Sequence, residues 1–116
     1  MISQKNRFHG YGSLNFTYKH GRTYRSEDFT LKYAINERRK RYRLSVVVSK
    51  KVSPSAVVRN RIRRRLYEVF RSQENQINKP YDLILSVFSN QFADMPFEAI
   101  KQKTDEALTK TGIINT

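Results

Sequence analysis

Residues 59–71 read RNRIRRRLYEVFR, with five arginines among the first seven positions. At about 100° per residue, Val58, Ile62, Leu66, Val69 and Phe70 fall within about a third of a helix circumference, so one side of this stretch is built to meet a core. On the same wheel Arg64 lies nearly opposite, Arg61 and Arg63 sit on the flanks, and Arg59 and Arg65 border the apolar stripe with stems able to lie along it. A solvated helix normally mixes charge signs, because like charges four residues apart repel by a few tenths of a kcal/mol and Glu–Lys pairs gain about as much. Here Arg59 with Arg63, and Arg61 with Arg65, repel, and arginines near the helix N-terminus also oppose its dipole. The feature therefore demands two things: an apolar surface to pack on, and an anion from outside to offset the charge. Phosphate suits the second role, since guanidinium binds it bidentately and a helix N-terminus attracts it.

The neighbouring segments supply the packing surface. Tyr11, Leu14 and Tyr18 recur as one face of a short helix that Gly21 would stop. In DFTLKYAI (28–35), Phe29, Leu31, Tyr33 and Ile35 alternate with polar or small residues, the pattern of a strand with one buried face. A short piece around Thr23 and Tyr24 is expected as an extra edge strand. YRLSVVVSKKV (42–52) has a β-branched centre that reads as the central strand, buried on both faces. The arginine helix should begin after SPS, capped by Ser53 or by Ser55, and run to roughly Asn75. YDLILSVF is a further apolar strand, and a last helix from Pro96 places Phe97, Ile100, Thr104 and Leu108 along one side, with Gly112 after its end. This order predicts a single α+β domain over residues 1–116, a two-layer sandwich with helices mainly on one face of one sheet, and short flexible ends at about 1–5 and 112–116. The other sheet face is left to bind something.

The charge balance supports an anionic partner. The 116 residues carry 23 Lys and Arg against 10 Asp and Glu, a formal net charge of +13. Nucleic acid is the commonest reason for such an excess in a small folded domain, with an anionic membrane surface or an acidic protein as the other classes. From Arg38 to Arg65 the chain has twelve basic residues and no acid, which makes the charge run more than a solvated face. Lys50, Lys51, Arg59, Arg61 and Arg64 would form one continuous surface if strand and helix lie side by side. With no cysteine there is neither a disulfide framework nor a thiolate metal site, and the composition suits a reducing cytoplasm. No apolar run is long enough to span a bilayer and MISQKNRFHG lacks the apolar segment of a secretion signal, so a mature, soluble chain is expected. His9 and His20 have no evident paired base, and the carboxylates are scattered, so no catalytic residue and no metal site is predicted.

The run SVVVSKKVSPSAVVRNRIRRRLYEVF, with NRF at 6–8 and YKHG at 18–21, resembles the protein subunit of bacterial ribonuclease P. The likeness covers roughly Asn6 to Leu108, and its most specific part is the Arg59-Asn60-Arg61 pattern preceded by Ser-Lys-Lys ten residues upstream. The resemblance implies a fold similar to the second domain of a small-subunit ribosomal protein, with a left-handed crossover into the arginine helix. It implies a subunit that binds a catalytic RNA and the 5′ leader of precursor tRNA and promotes maturation of tRNA 5′ ends. The RNA would perform the hydrolysis with its own Mg2+, and the protein would hold no cofactor and need no obligate protein partner. Carried across, Lys50, Lys51, Arg59, Asn60, Arg61, Arg63 and Arg64 would contact the catalytic RNA. A cleft between the first helix and the open sheet face would hold the leader on Phe8, Leu14, Tyr18, Phe29 and Tyr33, since stacking suits single-stranded RNA. Leu14 stands where the family usually has an aromatic, Tyr67 where a basic residue is common, and Arg65 where an apolar one is frequent. A ribosomal or RNA-chaperone protein of similar fold and an autonomous metal-dependent nuclease are the alternatives.

Overall fold

In a computed structural model that describes residues 11–114, the elements follow in the order α1 (Tyr11–His20), β1 (Arg22–Arg25), β2 (Phe29–Ile35), β3 (Arg43–Val48), α2 (Ala56–Ser72), β4 (Tyr81–Val87) and α3 (Phe97–Lys110). The four strands form one sheet in the order β1-β2-β4-β3, antiparallel except for the β3–β4 pair. The chain thus makes a parallel β3-α2-β4 unit flanked by an antiparallel edge.

Alternation sorts the side chains onto two faces. Register places Phe29 beside Val87, Leu85 between Leu31 and Val46, and Leu83 beside Leu44. These residues are buried with Ile62, Leu66, Val69 and Phe70 of α2 and Ile100, Ala107 and Leu108 of α3. Each fully buried Leu, Ile, Val or Phe stabilises the domain by about 1.5–3 kcal/mol, so this layer dominates folding. On the reverse face stand Thr30, Lys32, Ala34, Arg43, Ser45, Val47, Asp82, Ile84 and Ser86. There α1 lies across the sheet: Lys32 Nζ donates to the Tyr18 carbonyl at 2.8 Å, Thr17 is buried, and Ile84 is fully buried outside the main core.

Two local devices set α1 and α2. Gly21 follows α1 where a Cβ would stand 2.5 Å from the Thr17 carbonyl oxygen and 3.1 Å from that of Tyr33, so only glycine lets the helix descend onto β2. Of the two candidate caps it is Ser55 that caps α2, its Oγ accepting from the Val58 N–H at 3.3 Å, while Ser53 Oγ accepts from Ser55 N–H. At the reverse face's base Arg43 and Asp82 are both buried and joined bidentately at 2.8 Å, with Asn36 donating to the same carboxylate at 3.1 Å.

Several expectations change. The central strand is β4, not 42–52; β3 is an edge strand that stops at Val48, and its Val47 is 39% exposed because α1 does not extend over it. The arginine helix ends at Ser72, and a 3-10 turn over Glu74–Gln76 replaces its expected last residues. Phe97 is off the buried side of α3, which Ile100, Thr104, Ala107 and Leu108 make instead. Gly112, at φ +79°, reverses the chain after α3 so that Ile113 and Ile114 fold back into the core, and the expected flexible end at 112–116 is packed as far as Ile114. Residues 1–5, the other expected flexible end, lie outside the described residues.

Candidate nucleic-acid interface

Lys50 and Lys51 are exposed in the turn that leaves β3, and Asn60, Arg61 and Arg64 are exposed on the first turns of α2 that follow it. The short connection from β3 to α2 thus carries the two lysines to within a few residues of the start of the arginine helix. Arg63 is half-buried and donates to the Asn60 side-chain oxygen, which orients both groups on the helix surface. Arg61 is 57% exposed, and Asp94, 3.5 Å away, is 86% exposed, a pair that solvent screens to little net stabilisation. This is a cationic surface with its charge largely uncompensated inside the fold.

The five arginines of the run divide into two kinds. Arg65 turns its guanidinium inward, donating to the carbonyls of Phe92 at 3.0 Å and Ala93 at 2.7 Å and also to that of Met95. It fastens the 3-10 turn Asn90–Ala93 to α2 and is structural. Arg59 donates to the Ser53 carbonyl at 2.9 Å, so it braces the turn before α2 while part of its guanidinium still faces outward. Tyr67 is buried, and its hydroxyl accepts from the Val46 N–H at 3.2 Å. That contact occupies an outward-facing amide of edge strand β3, a packing reason for tyrosine at this position.

On the α1 face, Tyr18 is 41% exposed and Lys32 Nζ lies 5.9 Å from its ring centroid. Phe29 does not belong to this surface. It is 2% exposed on the opposite face, packed against Phe92 and Tyr24, because its strand position points towards α2 and α3. Tyr33 has the same parity, packs edge-on to Tyr81 and borders the core. Phe8 lies outside the described residues, as does the side chain of Leu14 in α1. The aromatics that sequence reasoning missed are Phe16, exposed on α1, and Phe88, 59% exposed one residue past β4. The Phe88 N–H still donates to the Asp28 carbonyl at 2.7 Å, so the ladder continues and alternation gives Phe88 the parity of the α1 face. Even-numbered parity with Lys32, Asp82 and Ile84 was the signal that separates it from Phe29. Phe16 also borders an open cavity of about 800 Å3 with Ala34, Ile35, Asn36 and Arg38 at the sheet's end.

A single α+β layer pair, with a guanidinium-rich helix at one end and exposed rings beside a lysine on its open sheet face, defines a small basic RNA-binding protein. Comparison with known proteins specifies which. The chain belongs to the ribonuclease P protein family, whose Ribonuclease P model matches residues 2–112. It is similar to the ribonuclease P protein component of Clostridium botulinum (strain Okra / Type B1), 34% identical over 99 residues that cover 84% of this chain and 86% of the relative. It is likewise similar to that of Oceanobacillus iheyensis, 29% identical over 101 residues covering 87% and 82%. The solved Staphylococcus aureus RNase P protein superposes with a TM-score of 0.82 at 25% identity, covering 95% of this chain and 98% of that one. The Thermotoga maritima RNase P protein shares the fold, with a TM-score of 0.78 at 24% identity over 90% and 96%. As a member of this family the chain binds RNA and takes part in tRNA processing.

Proposed function

We propose that Lys50, Lys51, Asn60, Arg61, Arg63, Arg64 and the outward part of Arg59 dock the protein onto the catalytic RNA of ribonuclease P. The observation that carries this is the crowding of uncompensated guanidinium groups on the first turns of α2, which a phosphate backbone would neutralise. The leader of precursor tRNA would cross the α1 face, stacking on Tyr18 and on Phe16 and Phe88, with Lys32 beside Tyr18 against its backbone. Phe29 and Tyr33 take no part in that surface, and Phe8 and Leu14 are left to substitution to test.

The division of labour follows from charge. The RNA supplies metal-bound water and in-line geometry, while the protein screens repulsion between two polyanions and holds the leader. On this reading Mg2+ belongs to the RNA, the protein binds no cofactor and requires no protein partner, and it works in the cytoplasm. Among the described residues no helix is long and apolar enough to cross a membrane, and no three His, Cys, Asp or Glu side chains converge as metal ligands.

Reconstitution with a bacterial ribonuclease P RNA at low Mg2+ tests the proposal. Stimulated cleavage of precursor tRNA at the 5′ end is expected. Cleavage by the protein alone would make it an autonomous nuclease, and binding to ribosomal RNA without stimulation would make it a ribosomal or chaperone protein. Tyr18→Ala should weaken binding of precursor tRNA more than that of mature tRNA in the same holoenzyme.

A further inference from the structure

Where α3 begins, it leans against the exposed flank of α2 and leaves an open groove of about 610 Å3 lined by Arg61, Arg64, Arg65, Glu68 and Phe97. We propose that this groove takes one unpaired base of the partner RNA, stacked on the Phe97 ring, with Arg61 and Arg64 on the adjoining phosphates. The inference rests on the reading that the α2 arginines face RNA, and adds to it a base contact on a third element.

Phe97 is 39% exposed and lies outside the core cluster, so its ring is not needed to close the fold. Its position is nevertheless held. Arg65 donates to the Met95 carbonyl two residues before it, and Pro96 fixes the backbone between them. The same bonds consume the Arg65 guanidinium, so the cations available at the groove are Arg61 and Arg64, both exposed. Glu68, the one carboxylate lining the groove, lies 3.9 Å from Arg71, and an apolar ring with water on its face and two cations beside it is poor chemistry for a free surface. A nucleotide answers both halves, because its base covers the ring and its phosphate meets the guanidinium. An acidic protein segment would satisfy the arginines and leave the ring's face without a matching plane. A lipid surface is disfavoured by the concave shape.

The test is affinity of the full-length protein for a bacterial ribonuclease P RNA, measured across a salt series for Phe97→Ala, Phe97→Leu, Phe97→Trp and Arg61→Ala. Loss of one stacked base should weaken binding roughly 5- to 150-fold in Phe97→Ala. Phe97→Leu should lose nearly as much, Phe97→Trp should bind at least as well as the parent, and none of the three should change the salt slope. Arg61→Ala should lower that slope by about 0.7–0.9. Parental affinity in Phe97→Ala, or retention by Phe97→Leu, would overturn the base contact while a reduced slope in Arg61→Ala leaves the RNA-facing role of α2 intact. An unchanged slope in Arg61→Ala would sink the reading of α2 itself.

Discussion

Arg64 and Arg65 are adjacent, identical in chemistry and opposite in role, which makes their paired substitution the sharpest test of the site. Arg65→Ala removes hydrogen bonds from a charged donor to the carbonyls of Phe92, Ala93 and Met95, of which Phe92 and Ala93 are buried residues. Bonds to a charged group contribute about 1.5–3 kcal/mol each, but those to one shared guanidinium are not additive and this one is part-exposed. A total loss of about 2–4 kcal/mol is therefore expected. Relief of the repulsion with Arg61 returns only a few tenths. Against a global stability of about 5–15 kcal/mol this is a large fraction, lowering Tm by roughly 10 °C or more for a domain of this size. Arg64→Ala deletes an exposed cation, so stability should change by less than about 0.5 kcal/mol. Its effect should appear in RNA binding, with the log–log salt slope reduced by about 0.7–0.9 for one lost phosphate contact. Urea denaturation measures the first quantity and a filter-binding salt series below Tm measures the second. If Arg65→Ala proved as stable as the parent and lost slope as Arg64→Ala does, the division of the arginines into clamp and contact would be wrong.

Asp82→Ala strips the buried Arg43 guanidinium of its carboxylate and should cost about 3–5 kcal/mol, whereas Arg43→Met with Asp82→Leu should recover most of that loss in urea denaturation. Gly21→Ala sets a methyl against the Thr17 carbonyl, so α1 must lift from the sheet; a loss of about 1–3 kcal/mol is expected, with a smaller preference for precursor over mature tRNA in competition binding.

What the sequence made legible was whatever depends on near neighbours in the chain. The stripe Ile62, Leu66, Val69, Phe70 repeats with helical period, and those residues are buried as it demands. The basic run and the Arg-Asn-Arg pattern pointed to RNA, and the family match agrees with that. What depends on distant neighbours was not legible. Both β3 and β4 are short apolar runs; which of them is enclosed on both faces is decided by strand order, and the order places β4 inside. Phe29 and Phe88 are both aromatics at strand ends, yet one is sealed and the other open, because α1 covers only part of one sheet face. Arg65 reads like Arg64 until the Asn90–Ala93 turn arrives beside it.

The sheet order has a further consequence for how the molecule is made. β2 and β3 are not neighbours; β3 has β4 as its sole partner in the sheet, and the β1–β2 hairpin joins it only through β4, which is the last strand to be synthesised. Until Tyr81–Val87 has left the ribosome, the nascent polypeptide can form little beyond the β1–β2 hairpin and isolated helices, with most of its cations already displayed. Pairing of β4 with both β2 and β3 completes the sheet through contacts between remote parts of the chain, the kind of contact that slows folding. A chain terminated before Tyr81 would carry the RNA-binding charge without the scaffold that arranges it, and would adhere to nucleic acid indiscriminately.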